Sequence, residues 1–128
     1  MARIVVCEDD PVILKLLQLA LRGTGHELLI AQDGLAGLEL IERERPDAIL
    51  TDVTMPNLSG LELASIVRSR PELAQISIIF LSASAQRLDR EEAYEHGATA
   101  YVTKPFRTVE LREALDWALA GGKEPPAD

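Results

Sequence analysis

Five short apolar runs alternate along the chain with segments in which apolar residues recur every three or four positions. The runs are mostly aliphatic and show little alternation of polar and apolar residues, which is typical of parallel strands covered on both faces. The pattern therefore predicts strands and helices in strict alternation. The predicted strands are residues 4–7, 28–31, 48–50, 76–81 and 99–102.

The periodic segments carry the start and stop signals of helices. The first helix is predicted to open at Pro11, after an acidic residue, and to stop at Gly23. A second helix is predicted to begin after Asp33, which suits the N-cap, and to end near residue 44, ahead of Pro46. The apolar stripe expected on the core side of the first helix comprises Val12, Ile13, Leu16, Leu17, Ala20 and Leu21.

The same signals place the remaining helices. Ser59 can cap a third helix that reaches about residue 69. A weakly amphipathic fourth helix is predicted over residues 86–95 and a fifth over residues 108–119, both followed by glycine. Five strands and five helices joined by right-handed crossovers predict an α/β fold, a doubly wound parallel sheet between two helical layers.

Length and charge narrow the classes of function. The 128 residues suit one domain, expected over residues 1–122, with a flexible tail or the start of a linker at residues 123–128. The net charge of −8 disfavours direct binding to nucleic acid or to anionic membranes. No stretch resembles a signal peptide or is long enough to span a bilayer, so a cytoplasmic location is expected. The single cysteine, Cys7, lies in an apolar run and is expected to be a small buried residue.

Polar residues follow four of the five predicted strands. In an open parallel sheet the carboxyl ends of the strands meet at one edge, where functional groups gather. These residues are Glu8, Asp9 and Asp10 after the first strand, Asp52 after the third, Ser82 after the fourth and Lys104 after the fifth.

Carboxylates brought together from two strand ends would repel each other unless a cation neutralised them. Oxygen ligands without a cysteine cluster favour a hard ion, and Mg²⁺ suits a site that also holds a phosphoryl group. An aspartate can act as a phosphoryl nucleophile, while a lysine and a hydroxyl stabilise the charge that develops. Taken singly, the acidic triplet can cap a helix, Asp52 can lie in a turn and Lys104 can be a solvated surface residue. Only the joint arrangement favours a site.

These residues resemble the receiver domains of two-component response regulators, and the resemblance runs from Arg3 to about Leu119. It implies a flavodoxin-like sandwich with the sheet order 2-1-3-4-5. The segments that carry it are IVVCEDDP at residues 4–11, ILTDVTMPNLSGLEL at residues 49–63, FLSA at residues 80–83 and GATAYVTKPF at residues 97–106.

The resemblance implies a metal site around a phosphoacceptor. Asp52 would accept the phosphoryl group, and Glu8 and Asp9 would be the acidic pair that holds Mg²⁺, with Mn²⁺ as an alternative ion. Asp52 itself and the backbone carbonyl of Thr54 would complete the protein ligands. Asp10 would lie outside the ligand set.

The resemblance also assigns the residues that respond to phosphorylation. Ser82 and Lys104 would contact the phosphoryl group, and Tyr101 would turn into space vacated by Ser82. Residues Thr54 and Ser84 resemble positions that tune dephosphorylation, and Pro105 is expected to follow a cis peptide bond.

The implied partners are proteins. Family members receive phosphate from a histidine kinase or a phosphotransfer protein and catalyse their own phosphorylation and dephosphorylation. The signal would pass to a protein target or an output domain through the fourth helix, fifth strand and fifth helix, a surface that could also form a dimer. Trp117 lies off the apolar stripe of the fifth helix, so it is expected to be at least partly exposed, either for a partner or for ordinary packing.

Three other functions fit the sequence less well. An aspartyl-nucleophile phosphatase would carry a second acid two residues after Asp52, where this chain has Thr54. A nucleotide or flavin binder would need a glycine-rich loop after the first strand, where acids stand instead. A phosphorylation-independent interaction module would leave the presence of the acceptor, the acidic pair, the hydroxyl and the lysine unexplained.

Overall fold

The computed structural model describes residues 2–83 and 90–121. Strands and helices alternate strictly along this part of the chain, as predicted. The elements are β1 (Arg3–Cys7), α1 (Pro11–Ala20), β2 (Glu27–Ala31), α2 (Gly34–Glu44), β3 (Ala48–Asp52), α3 (Gly60–Ser69), β4 (Ser77–Ala83), α4 (Arg90–Glu95), β5 (Ala100–Lys104) and α5 (Thr108–Leu119).

The five strands form one parallel sheet in the order β2-β1-β3-β4-β5. This arrangement confirms the predicted doubly wound α/β fold. The register places Asp52 opposite Leu81 and Lys104 opposite Ala83, so the carboxyl ends of β3, β4 and β5 lie side by side. All functional groups at those ends therefore share one edge of the sheet.

Alternate residues of the strands fill two core layers. On one face, Val5, Ile49 and Phe80 pack with α2, α3 and α4. On the other, Val6 and Leu50 pack with α1 and α5. Both faces of the central strands are buried because each is covered by helices, which explains the nearly continuous apolar runs in the sequence.

Side-chain caps fix the starts of three helices. Asp10 accepts a hydrogen bond from the Val12 amide at the start of α1, and Asp33 accepts one from the Ala36 amide at the start of α2. Ser59 opens α3 with a full capping box, in which Glu62 returns a side-chain bond to the Ser59 amide. These caps satisfy amide groups that the helices themselves leave unbonded.

Helix α1 differs from the sequence expectation in length and in its buried face. It ends at Ala20, three residues before Gly23. Val12 is 66% exposed and Leu16 is 47% exposed, whereas Leu17, Ala20 and Leu21 are buried. Only a narrow face of α1 meets the sheet and α5, so the broad apolar stripe drawn from periodicity was wrong at those two positions.

Other element boundaries shift by one or two residues. β3 and β5 continue two residues beyond their predicted ends, to Asp52 and Lys104, and β4 continues to Ala83. The predicted fourth helix is described from Arg90 to Glu95, and its expected start, with Ser84, lies outside the described residues. The tail predicted at residues 123–128 lies outside them as well.

Cys7 lies in β1 and is completely buried. Burial raises the pKa of its thiol to about 12, although Thr51 opposes the shift. The thiol is therefore protonated at neutral pH, in keeping with the buried, unreactive residue that the sequence predicts. Among the described helices, none has the length and apolar character needed to cross a membrane.

Candidate functional site

Three strand ends bring Glu8, Asp52 and Lys104 into one ion cluster. Asp52 ends β3, Lys104 ends β5, and Glu8 directly follows β1. The Lys104 Nζ atom lies 3.0 Å from Asp52 Oδ2 and 3.0 Å from Glu8 Oε1. Groups that are 44 and 52 residues apart along the chain thus meet because parallel strands end at the same edge.

Lys104 is the cation of the cluster. Burial by itself would lower its pKa, but the hydrogen bonds and negative charges of Asp52 and Glu8 outweigh that effect and raise the pKa above its ordinary value. The ammonium group therefore remains charged between the two carboxylates.

Glu8 is a completely buried carboxylate. Burial raises its pKa, and the backbone amide of Asp10, whose bond to Glu8 Oε2 measures 3.0 Å, and the ammonium of Lys104 oppose the shift only in part. The raised pKa means that the charged form of this buried acid is destabilised in the folded protein. Such perturbed acids are common at functional sites.

Asp52 presents one oxygen to Lys104 and keeps the other unbonded. Its Oδ2 accepts from Lys104, while Oδ1 is buried and has no hydrogen-bond partner among the described residues. Glu8 Oε1 is also buried, and it faces the Lys104 ammonium at 3.0 Å. Buried acceptors are rarely left unbonded in folded proteins, so Asp52 Oδ1 is suited to an additional ligand.

A cation fits this group of acids. Glu8, Asp9 and Asp52 each offer one oxygen, and the three atoms all lie within 4.8 Å of one another. Three carboxylates face a single ammonium, which leaves an excess of negative charge that a divalent ion would neutralise. The all-oxygen donor set suits Mg²⁺, which binds few carboxylates and keeps several waters.

The acidic triplet after β1 divides between two tasks. Glu8 and Asp9 join the oxygen cluster, whereas Asp10 is exposed and accepts a hydrogen bond from the Val12 amide at the start of α1, with a distance of 2.9 Å. The capping interpretation of the triplet thus applies to Asp10, which lies outside the oxygen cluster.

The loop from β3 to α3 carries Thr54, whose side chain is exposed two residues beyond Asp52. This loop is closed tightly at Gly60, whose amide donates to the Val53 carbonyl at 2.8 Å. A Cβ atom on Gly60 would lie only 2.0 Å from the Asp52 carbonyl oxygen. A residue without a side chain is therefore required where α3 begins.

The two residues expected to respond to phosphorylation lie in the neighbouring strands β4 and β5. Ser82 is completely buried in β4 and pairs with Thr103 of β5, one position beyond the pair formed by Leu81 and Asp52. Tyr101 of β5 is half-buried and packs against the core layer under α2, α3 and α4. The Lys104–Pro105 peptide bond is cis.

Trp117 is half-buried on α5 and packs against the core layer that α1 and α5 cover. Its indole Nε1 is buried and has no hydrogen-bond partner within the described ranges. Tyr94 of α4 is 41% exposed. The surface that includes α4, β5 and α5 thus carries one packed aromatic residue, Trp117, and one more exposed aromatic residue, Tyr94.

Sequence reasoning missed two features that shape the site. Gly60 was not singled out, although a glycine directly after a capping serine is a usable signal for close backbone contact. The sequence prediction made no statement about the backbone of Asn57, whose φ of 71° places it in the left-handed region. An Asn three residues before a glycine-started helix gives only a weak hint of that conformation.

Comparisons with known proteins agree with this geometry. Residues 4–116 match the family model described as the response regulator receiver domain. The chain is similar to the protein PilH of Pseudomonas aeruginosa, with 32% identity over 94% of the chain and all of that protein. It is also similar to the DNA-binding response regulator MtrA of Mycolicibacterium smegmatis, with 31% identity over 98% of the chain, but spans only 54% of that relative's length.

A solved structure extends the comparison to the fold. The receiver domain of the sensor histidine kinase PA1611 from Pseudomonas aeruginosa, solved with a magnesium ion coordinated in its active-site cleft, superposes with a TM-score of 0.84. Sequence identity is 32%, and the match covers 93% of this chain and 98% of that one. On its sheet order, its edge cluster of acids with a lysine and its match over residues 4–116, the chain belongs to the response regulator receiver domain family of two-component signalling.

Proposed function

We propose that this domain is a switch that accepts a phosphoryl group on Asp52. The observation that carries the proposal is the state of its carboxylate: one oxygen is held by Lys104, and the other is buried without a hydrogen-bond partner in the described part of the chain. A nucleophilic carboxylate must be held in a fixed orientation and must keep one oxygen free of hydrogen bonds for the attack. Asp52 meets both conditions.

Mg²⁺ is proposed as the cofactor, held by the carboxylates of Glu8, Asp9 and Asp52 and by the backbone carbonyl of Thr54. When bound, it would neutralise the charge of the incoming phosphoryl oxygens. The protein contributes a rigid arrangement, because Glu8 is fixed by burial and by the amide of Asp10. Mn²⁺ is the alternative ion, since it also accepts oxygen ligands.

The transfer needs little covalent chemistry from the protein. An oxygen of Asp52 attacks phosphorus while the bond from phosphorus to the donor's imidazole nitrogen breaks, and that nitrogen keeps the electron pair. Lys104 then exchanges part of its contact with Asp52 for the phosphoryl oxygens. Ser82 would supply a hydroxyl to the same group, and hydrolysis by water would later restore the carboxylate.

The response is proposed to spread through Ser82 and Tyr101. If Ser82 moves toward the phosphoryl group, the half-buried ring of Tyr101 can shift within its core layer. Such a shift would change the equilibrium between two conformations that exist before phosphorylation. The surface formed by α4, β5 and α5 would present the result to a partner, and it could also support a dimer.

The proposed partners act upstream and downstream. A histidine kinase or a phosphotransfer protein would donate the phosphoryl group, and a protein target or an output domain would receive the signal. Because the full chain of 128 residues carries a net charge of −8, direct binding to nucleic acid or membranes is not proposed. A cytoplasmic location, with residues 123–128 as a tail or linker start, completes the proposal.

The intact mass after exposure to a small phosphodonor such as acetyl phosphate tests the proposal. The wild-type protein is expected to gain one phosphoryl group in Mg²⁺, to gain none in chelator, and to gain none after Asp52→Asn. An adduct that survives Asp52→Asn would place the acceptor elsewhere. Steady turnover of a phosphate monoester without an accumulating adduct would favour an aspartyl-nucleophile phosphatase instead.

A further inference from the structure

We infer that Asp33 and Asn57 form a positioning pair that sets the loop between β3 and α3, and through it the proposed Mg²⁺ site. The inference rests on the proposed function, because it concerns how the Thr54 carbonyl is presented. The observation is a hydrogen bond of 3.2 Å from Asn57 Nδ2 to Asp33 Oδ2, which joins two loops 24 residues apart in the sequence.

The loop around Asn57 holds a strained backbone. The Leu58 amide donates to the Pro56 carbonyl at 2.8 Å, two residues back, and Asn57 between them has a φ of 71°. This bond and this sign of φ are those of the rarer, strained form of the γ-turn. Such a conformation persists only where neighbouring groups hold it, and it is found preferentially at functional sites.

Asp33 uses both carboxylate oxygens to hold that turn against α2. Its Oδ1 accepts from the Ala36 amide at 2.8 Å and caps α2, which fixes the carboxylate on a rigid element. Its Oδ2 accepts a hydrogen bond from the side-chain amide of Asn57. The next residue, Gly34, lets the loop approach, since a Cβ there would lie 2.0 Å from the Leu58 carbonyl oxygen.

The loop has further attachments besides this pair. The Gly34 amide donates to the Pro56 carbonyl at 3.5 Å, so the backbones of the same two loops also meet directly. Gly60 bonds back to Val53 at one end, and Met55 is buried with its sulfur 3.8 Å from the Thr51 hydroxyl. Thr54 lies between these anchors and is exposed. A carbonyl that must meet a cation within a few tenths of an ångström needs its peptide plane fixed, and the Asp33–Asn57 bond restricts it from the exposed side.

The test is the dissociation constant of Mg²⁺ alone, measured by titration calorimetry at about 0.15 M salt to limit charge effects from a distance. Asn57→Gly keeps the left-handed backbone but removes the bond, and it is expected to weaken Mg²⁺ binding roughly three- to tenfold. Arg45→Gly is the matched control: Arg45 is the other described non-glycine residue with positive φ, and it lies at the opposite end of β3. That variant is expected to bind Mg²⁺ like the wild type.

A polarity exchange provides the rescue. In the double variant D33N/N57D the donor and acceptor trade places, net charge is unchanged, and both new residues suit their backbone positions. This variant is expected to bind Mg²⁺ within about twofold of the wild type. Wild-type affinity in Asn57→Gly, or an exchange variant as weak as Asn57→Gly, would overturn the inference. Absence of Mg²⁺ binding by the wild type itself would instead contradict the proposed function.

Discussion

Glu8 is a buried carboxylate that the fold holds at a net electrostatic cost. Its pKa is raised by burial above the ordinary value of 4.5, even though Lys104 and the Asp10 amide favour the charged form. The folded protein therefore binds this proton more tightly than the unfolded chain does. Without metal, the contribution of Glu8 to the free energy of unfolding is largest below pH 4.5 and falls as pH rises through the raised pKa.

This linkage predicts the behaviour of Glu8→Gln. In chelator at neutral pH the variant is expected to be more stable than the wild type, and the difference should narrow as pH falls toward 4.5. Added Mg²⁺ should stabilise the wild type more than the variant, because a ligand that binds only the folded state raises its stability. Urea unfolding across this pH range measures both effects.

Glu39→Gln serves as the control, since Glu39 is exposed on α2 and the substitution changes net charge by the same amount. It should leave the pH profile and the response to Mg²⁺ close to those of the wild type. If Glu8→Gln were less stable than the wild type at neutral pH in chelator, the assigned cost of Glu8 would be wrong.

At the scale of single residues, the sequence predicted which groups meet but not how each is used. Asp52, Glu8 and Lys104 could be predicted because each stands at a strand end. The division of labour between Asp9 and Asp10 could not be derived from the residues, since either acid can cap a helix or face a cation. Their assignment depends on the direction in which the chain leaves β1.

At the scale of elements, the start of α3 controls the backbone of Asp52. Helix propensity alone would favour alanine over glycine at position 60 by about 1 kcal/mol. The contact of 2.0 Å between a Cβ and the Asp52 carbonyl oxygen opposes this preference. Gly60→Ala is therefore expected to lower the free energy of unfolding by about 2 kcal/mol and to slow phosphorylation, as measured by urea unfolding and by intact mass over time.

Gly23→Ala is the matched comparison for Gly60→Ala. Gly23 has a φ of 83°, but nothing lies within 4 Å of a Cβ placed there. Its substitution should cost about 1 kcal/mol from backbone strain and leave the rate of phosphorylation unchanged. A Gly60→Ala variant with wild-type stability and a wild-type rate of phosphorylation would contradict this prediction. It would show that the start of α3 can move away from Asp52 without affecting either quantity.

Arg68 connects α3 to the segments that lead into β4 and β5. Its guanidinium donates to the carbonyls of Ala74 and Ile76 at 2.7 and 2.6 Å, and to the carbonyl of Gly97 at 3.0 Å. Arg68→Met is expected to lower the free energy of unfolding by about 2 kcal/mol, because these partly buried carbonyls would lose charged donors. Urea unfolding measures the loss.

Arg70, the residue that caps the C-terminus of α3, provides the contrast. It is partly exposed and forms an ion pair with Glu42 across the surface. Arg70→Met should cost less than about 1 kcal/mol, as exposed ion pairs contribute little. Equal losses for the two variants would mean that the carbonyl contacts of Arg68 contribute no more than a surface charge.

The bounds of a helix could be predicted from the sequence where its start and stop signals agreed on one position. Helices α2, α3 and α5 have clear starting residues and agree with the sequence prediction to within a residue. The periodicity of α1 is compatible with several buried faces, because apolar residues cover most of its circumference. The choice between Leu17 and Leu16 as the core residue depends on packing against α5, which a single segment does not encode.

At the scale of the whole molecule, the sheet order followed from general rules of chain connection. Parallel strands, right-handed crossovers and buried runs leave few arrangements for five βα units. The close contacts between the loops at the carboxyl edge were not predictable in this way. They depend on distances of a few ångström between Gly34, Asn57 and Gly60 and their neighbours, which only the assembled fold determines.

A switch that acts through the whole molecule should be visible at Trp117, the single tryptophan of the chain. Phosphorylation is expected to shift its fluorescence emission, because α5 adjoins β4 and β5, and Trp117 is packed into the layer beneath α5. Ser82→Ala should accept a phosphoryl group more slowly and lose most of the shift. An emission spectrum unaffected by phosphorylation of the wild type would exclude α5 as part of the response.

The most direct test is to locate the phosphoryl group chemically. An acyl phosphate is reduced by borohydride to an alcohol, so a phosphorylated aspartate becomes homoserine, which peptide sequencing by mass spectrometry identifies. The account predicts homoserine at position 52 alone, in samples treated with phosphodonor and Mg²⁺ and not in chelator. Homoserine at position 9 or 10, or a phosphoryl group retained on His26 or His96, would contradict it.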